Sequence, residues 1–353
     1  MKKTVLSAMA LILCAALLAG CGPKSDAEGT GDKITLNVYN WGEYMDPDIL
    51  TQFEEETGIH INYEVYPTNE EMYVKLTKGG TDYDLLFPSD YMVARLIAED
   101  MLVPLDFEQI PNAQYTQERF LNMEYDPDNA YSIPYFWGTL GILYNTKLVA
   151  EPADSWELLW DERYAGQIVM LDSVRDSFTP ALSLLGYAIN TTDESELKEA
   201  QSRLIEQKPL VMAYAVDEMI DMMIGEEASI GLAWSGMAMS ILDGNPDIDY
   251  IVPREGSNVW VDCMVIPKTS RHVAEAQQFI NYLCRSDIAL KNTEWVGYST
   301  THQGALDNLD PALTALAAYN PPDEVLDRCE VFLDLPDETK AYMGELWTEL
   351  KAE

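Results

Sequence analysis

An indole and a carboxylate stand two residues apart at Trp260 and Asp262, just ahead of the apolar run Cys263-Met264-Val265-Ile266-Pro267. On an extended segment, alternate side chains point to the same side. A carboxylate beside an aromatic face suits an organic ammonium ion. The acid takes the charge and the N–H donors, while the ring adds cation–π attraction and apolar contact for methylenes. The theme recurs along the chain. Trp41 and Tyr44 flank Glu43, Tyr91 follows Asp90, and Trp234 and Tyr298 each sit at the end of an apolar run. Asp262 neighbours a strand that runs into the core, so once buried it needs a partner. An internal Arg or Lys would serve. So would a ligand ammonium, and the spacing to Trp260 favours the second.

Other chemistries find little support. Paired acids among aromatics also occur in glycosidases, but no GxSxG, HExxH or phosphate-binding loop is present. His60, His272 and His302 are scattered and read as surface or packing residues. There is no CxxC and no Cys/His cluster of metal type, so neither metal nor cofactor is expected. Cys263, Cys284 and Cys329 are an odd set, and the apolar neighbours of Cys263 favour a buried thiol. A lone tryptophan is more often core than contact. Trp156, Trp160, Trp295 and Trp347 read as packing residues, and Trp137 as part of a crossover or of a cleft.

The candidate residues need a scaffold, and the order of elements supplies one. Ile34 to Tyr39 reads as a strand. Asp46 is an N-cap with Pro47 at the first helical position, and Gly58 stops that helix. Ile59 to Tyr66 is the next strand, and Asn69 caps a helix carrying Met72, Val74 and Leu76. Asp84 to Phe87 is a third strand, leading through Ser89 and Asp90 into a helix from Tyr91. The second half repeats the grammar. Strands are expected at Ile142–Asn145, Ile168–Leu171, Ser229–Trp234, Asp249–Val252 and Asp262–Pro267, and helices after Asp176, around Ala238–Leu242 and from His272 to Cys284. Asp176 could be no more than the cap of its helix. This alternation implies α/β lobes, each a mixed sheet flanked by helices. In such folds ligands sit beyond the carboxyl ends of strands. Trp41–Tyr44, Ser89–Tyr91, Asp172–Asp176 and Trp234 all fall at such ends.

The N-terminus and the charge set the compartment and the partners. Lys2 and Lys3 precede an apolar stretch from Val5 to Leu18, too short to span a bilayer and shaped like a secretory signal. Leu18-Ala19-Gly20-Cys21 resembles a bacterial lipobox, in which Cys21 is lipidated. Residues 22–32 are small and polar, as suits a tether. Removing Lys2 and Lys3 from 22 basic residues leaves 20 against 60 acidic ones, a net charge of about −40. Such a surface argues against nucleic acid as a partner. Solubility or adaptation to the environment accounts for such a charge, and so does long-range attraction of cationic solutes; composition alone does not separate the two.

A set of ordered runs identifies a family. Tyr39-Asn40-Trp41-Gly42-Glu43-Tyr44, Phe53 to Ile59, Tyr83 to Ser89 and Tyr131 to Gly138 resemble the spermidine/putrescine-binding proteins of bacterial ABC importers. So do Gly231-Leu232-Ala233-Trp234-Ser235-Gly236, Trp260-Val261-Asp262 and Val296-Gly297-Tyr298. The resemblance implies a two-lobed periplasmic-binding-protein-like fold of type II that closes over a ligand in the cleft, with lobe 1 formed by residues 33–138 plus 262–302 and lobe 2 by residues 139–261 plus 303–353.

By position it implies ligand contacts at Trp41, Tyr44, Ser89, Tyr91, Trp234, Trp260, Asp262 and Tyr298. Asp176 stands where the family often has Glu. Gly42, Ser173 and Phe332 depart from the family pattern, at positions where its members carry a hydroxyl, an acid and a Gln. Glu43 and Asp90 could supply compensating charge. The resemblance further implies a non-enzymatic, monomeric, lipid-anchored receptor outside the cytoplasmic membrane. It would carry putrescine or spermidine to a permease. The same fold binding another amine or a sugar is the alternative, and a secreted hydrolase a more distant one.

Overall fold

The computed structural model describes residues 34–80, 82–149 and 154–352. The signal segment, Cys21 and the tether lie outside them. The first half of the chain builds β1 (Thr35–Trp41), α1 (Pro47–Thr57), β2 (His60–Tyr66), α2 (Asn69–Lys78), the two-residue β3 (Leu85–Leu86) and α3 (Asp90–Ala98). The 14-residue β4 (Ser132–Asn145) follows, then β5 (Ile168–Leu171), α4 (Val174–Leu185), α5 (Glu194–Gln207) and β6 (Val211–Ala215). Next come α6 (Glu218–Ile224), β7 (Ile230–Trp234), α7 (Ser235–Gly244), β8 (Ile248–Ile251) and β9 (Val259–Val265). The chain then forms α8 (Val273–Leu283), α9 (Ser286–Val296), β10 (Ser299–Thr300) and a C-terminal helix, Asp337–Ala352.

The strands run in the order β2-β1-β3-β9-β4-β7-β5-β6, with β8 and β10 also paired to β4. β1 is parallel to β2 and β3, and β5 to β6 and β7, while β9 runs antiparallel to β3 and β4. β4 joins the two halves. Its residues Ser132–Thr139 pair with β9, and Leu140–Asn145 pair with β7 and β8. Its near-continuous apolar sequence is what a strand covered on both faces requires. Pro134, which lacks a ladder donor, coincides with a register shift before Phe136. Two glycines let neighbours approach. A Cβ on Gly138 would lie 2.5 Å from the Trp260 ring, and one on Gly141 would lie 2.5 Å from the Tyr250 ring.

The core follows the same division. Leu36, Val38, Phe53, Leu85, Met264, Phe279 and Ile280 pack in the first half. Leu143, Trp156, Val169, Leu171, Ile230, Leu232 and Tyr250 pack in the second. The C-terminal helix seals Phe178, Leu182 and Leu204 with Leu346 and Trp347.

Most expected elements are present, with local differences. Asp46 caps α1 by accepting from the Asp48 N–H at 2.9 Å, and Gly58 ends that helix in the left-handed region at φ 75°. The cap of α2 is Thr68, not Asn69. Thr68 Oγ1 accepts from the Glu71 N–H, while Asn69 is buried as the first helical residue with its amide turned toward α3. Val74 of that helix is exposed. Ser173 holds the cap position of α4, and Asp176 sits inside the first turn. Trp295 is 42% exposed, so it is not a core residue, whereas Trp137, Trp156 and Trp347 are buried. Cys263, Cys284 and Cys329 are all free.

One buried acid holds the entry to β4. The Asp126 carboxylate accepts from the backbone N–H groups of Ala130, Tyr131 and Ser132 and from the Ser132 hydroxyl. Asp126→Ala strands all four donors, and each unsatisfied buried group costs about 1–3 kcal/mol. We expect urea denaturation to show a loss of roughly 3 kcal/mol or more with an unchanged slope. A loss below about 1 kcal/mol would mean that water replaces the carboxylate there without cost.

Candidate functional site

The site is built outward from β9. Trp260 and Asp262 lie on one face of this strand. Asp262 is 5% exposed and buried among donors that carry no charge. Its Oδ2 accepts from the Tyr44 hydroxyl at 2.7 Å, and its Oδ1 from the Ser89 hydroxyl at 2.6 Å. A backbone bridge between Ser89 and Asp262 and a bond from the Cys263 N–H to the Pro88 carbonyl hold the two segments together. Among the described residues, no Lys, Arg or His forms an ion pair with Asp262. Burial therefore pushes its carboxyl up to about 6, against the pull of the Ser89 and Tyr44 hydrogen bonds.

Aromatic rings wall this acid. Tyr44 stands edge-on to Tyr135, Phe136 and Tyr298, with ring centroids 5.7, 5.3 and 5.3 Å away. Burial and the neighbouring Asp262 raise its phenol well above the ordinary value, so it stays a donor. Tyr298 meets Trp260 edge-to-face at 5.6 Å. The Trp260 Nε1 is buried with no hydrogen-bond partner. Tyr298 also lies against the start of α7. A Cβ on Gly236 would fall 2.1 Å from its ring, so only glycine fits there. Trp41, the last residue of β1, donates from Nε1 to the Phe87 carbonyl at 2.8 Å and rests tilted against Tyr66.

The second half contributes its own acid. Asp176 is buried in the first turn of α4. Its Oδ1 accepts from Trp234 Nε1 at 3.2 Å, and its Oδ2 from the Ser173 hydroxyl at 2.6 Å. Burial raises its carboxyl, opposed by those two bonds and by the Arg175 charge. Arg175 itself donates to the Leu333 carbonyl and to Asn190 Oδ1, both at 2.7 Å, with its guanidinium 4.0 Å over the Phe332 ring.

Tyr44, Ser89, Trp260, Asp262 and Tyr298 thus converge, and Asp176 pairs with Trp234. Tyr91 lies to one side. Its hydroxyl donates to Glu70 and accepts from the Asn69 amide, which also donates to the Ser89 hydroxyl. Asn69 is the residue that the sequence reading missed. A polar side chain at a helix start looks like a cap, and nothing local shows that it steers Ser89 and Tyr91. Two charged candidates stand apart. Glu43 is exposed in the turn after β1, at φ 50°. Asp90 is 1% exposed, and its oxygens accept from the backbone N–H groups of Tyr91 at 2.7 Å and Val261 at 3.1 Å.

Residues 48–321 match the family of bacterial extracellular solute-binding proteins. The chain belongs to this family. Its members bind solutes for ABC transporters and catalyse no reaction. The chain is 35% identical over 324 residues to the spermidine/putrescine-binding periplasmic protein of Escherichia coli K12, covering 91% of this chain and 92% of that one. A spermidine/putrescine ABC transporter substrate-binding protein of Streptococcus pneumoniae is 40% identical with a TM-score of 0.82, covering 91% of this chain and 99% of that one. The Tp0655 lipoprotein of Treponema pallidum is 26% identical, also with a TM-score of 0.82, covering 90% and 100%. The family resemblance read from the sequence is borne out, and the fold is the two-lobed α/β fold of these binding proteins.

The burial of Asp262 has a consequence for the solute-free protein. Its folded pKa of about 6 lies above the unfolded value of about 3.9. Its contribution to stability is therefore fully present below pH 4 and is lost as pH rises through 6. The loss reaches roughly 2–3 kcal/mol at pH 8. Solute-free Asp262→Asn should melt above wild type at pH 8 and lose most of that advantage by pH 4. Calorimetric scans that show wild type the more stable at pH 8 would contradict an uncompensated buried charge.

Proposed function

We infer that this chain is a polyamine receptor. The observation that carries the reading is Asp262: a buried carboxylate that accepts from two hydroxyls beside an aromatic wall, with no Lys, Arg or His paired to it among the described residues. Ionising such a group inside a protein is costly unless a positive charge joins it. An alkylammonium supplies that charge, donates to the free lone pairs and lays its methylenes on Trp260 and Tyr298. Asp176 beside Trp234 repeats the arrangement in the other half of the molecule, and it suits a solute with at least two amines. The names of the relatives, which bind spermidine and putrescine, support this reading.

On this reading the contact set is Trp41, Tyr44, Ser89, Tyr91, Asp176, Trp234, Trp260, Asp262 and Tyr298. Glu43 remains on the exposed turn beside it. Residues 33–138 with 262–302 form one lobe, residues 139–261 with 303–353 the other, and the solute bridges them. Lipidation at Cys21 tethers the receptor, as a monomer, to the outer side of the cytoplasmic membrane, where it passes its solute to an ABC permease. The Treponema relative is a lipoprotein, which supports the anchor. The acidic surface raises the encounter rate with polycations at low salt.

Calorimetric titration with putrescine and spermidine tests the assignment. Truncating one partner of a buried charge pair costs roughly 2–5 kcal/mol, so Asp262→Asn should weaken both solutes by about two orders of magnitude. Asp176→Asn should weaken spermidine more than putrescine by roughly 1 kcal/mol, because a longer solute reaches the second acid. Wild-type affinity in Asp262→Asn would sink the reading, and equal losses in Asp176→Asn would misplace that acid.

A further inference from the structure

Asp90 is a buried acid that the contact set does not use. It opens α3, one residue after Ser89, and among the described residues it has no cationic hydrogen-bond partner. One oxygen closes on its own helix start through the Tyr91 N–H. The other reaches over to the Val261 N–H, between Trp260 and Asp262 on β9. Together with the Ser89 bridge to Asp262 and the Pro88 carbonyl on the Cys263 N–H, this makes three successive ties between the α3 entry and β9. The last of the three is made by the Asp90 side chain to the Val261 backbone, where the first is backbone to backbone. It fixes the strand between the indole and the carboxylate that face the solute.

We propose that Asp90 is a positioning residue of the solute site, which clamps β9 so that Ser89 meets Asp262 and sets a second negative charge behind Asp262 without touching the solute. The inference rests on the reading of the site as one for organic cations. Several charged or titratable groups act on Asp90. Asp262 repels its charge and Arg175 of α4 attracts it. Tyr125 and Cys263 also neighbour it, and both stay protonated because burial raises them well above their ordinary values. Burial pushes the Asp90 acid itself up to about 7, while the Tyr91 and Val261 N–H groups pull against that rise. The clamp is therefore charged at pH 8 and neutral at pH 5.5, and a bound polycation favours the charged form.

Two measurements on the full chain test the proposal. The first needs no solute: amide hydrogen exchange at Val261, Asp262 and Cys263. In Asp90→Ala these amides should exchange at least tenfold faster than in wild type, while those of β7 are unchanged. The second is calorimetry with putrescine on Asp90→Asn, whose side chain keeps an acceptor but no charge. Affinity should fall about tenfold at pH 8 and by less than threefold at pH 5.5, where wild type has lost the charge as well. A purely structural role would weaken both by the same factor. Unchanged exchange in Asp90→Ala, or an equal loss at both pH values, would overturn the proposal. A wild type that binds no polyamine would instead overturn the reading of the solute, and the exchange experiment would still decide whether Asp90 clamps β9.

Discussion

The structure turns on one unbalanced charge. Asp262 is enclosed on β9 with two hydroxyl donors, and among the described residues no cation pairs with it. Hydroxyl hydrogen bonds lower the cost of ionising a buried acid but do not cancel it, which is why its carboxyl rises to about 6. A protein selected for stability alone would place an arginine or an apolar residue there. Retaining the acid leaves a deficit that only an external cation can fill. Tyr44, Ser89, Trp260 and Tyr298 are arranged around that deficit.

Holding such a group requires a stiff frame, and the chain provides it through β4. This strand crosses both halves of the sheet and carries β9 on one edge, so the position of Asp262 is tied to both cores. Gly138 lets the Trp260 ring pack onto β4, and Gly236 lets Tyr298 pack onto α7. The wall of the site therefore touches elements of both halves. That arrangement suits a receptor whose two lobes report on a single solute, since occupancy biases whichever arrangement it contacts best.

Much of this was legible in the sequence because it follows from local rules. The period of two places Trp260 and Asp262 together, the Asp46-Pro47 start and the Gly58 stop bound α1, and alternating elements give the fold class. What escaped is non-local or weakly patterned. Only the end of β4, Ile142–Asn145, was read as a strand, because Pro134, Gly138 and Gly141 interrupt the run before it, although the fold uses them as a bulge and two close approaches. α5 was not read at all. Its apolar stripe of Leu197, Ala200 and Leu204 is narrow in a charged sequence, and its packing comes from the distant C-terminal helix. Asn69 and Asp90 both look like helix-start residues, and only the tertiary contacts with Ser89 and Val261 show what they do. Trp295 was expected in the core because a lone tryptophan is more often packing than contact, and it lies on an exposed face of α9.

On the polyamine reading, a solute cation completes a buried, partly protonated acid. Proton inventory tests it most directly: calorimetric titration of the wild-type protein with putrescine near pH 6, repeated in buffers of different ionisation enthalpy. The amines of the solute are already fully charged there. Pairing one of them with Asp262 should drive that acid to ionise, so binding should release a sizeable fraction of a proton near pH 6 and almost none at pH 8.5. Binding that releases no proton at pH 6, or takes one up, would mean that no buried acid changes its ionisation on capture and would contradict the account.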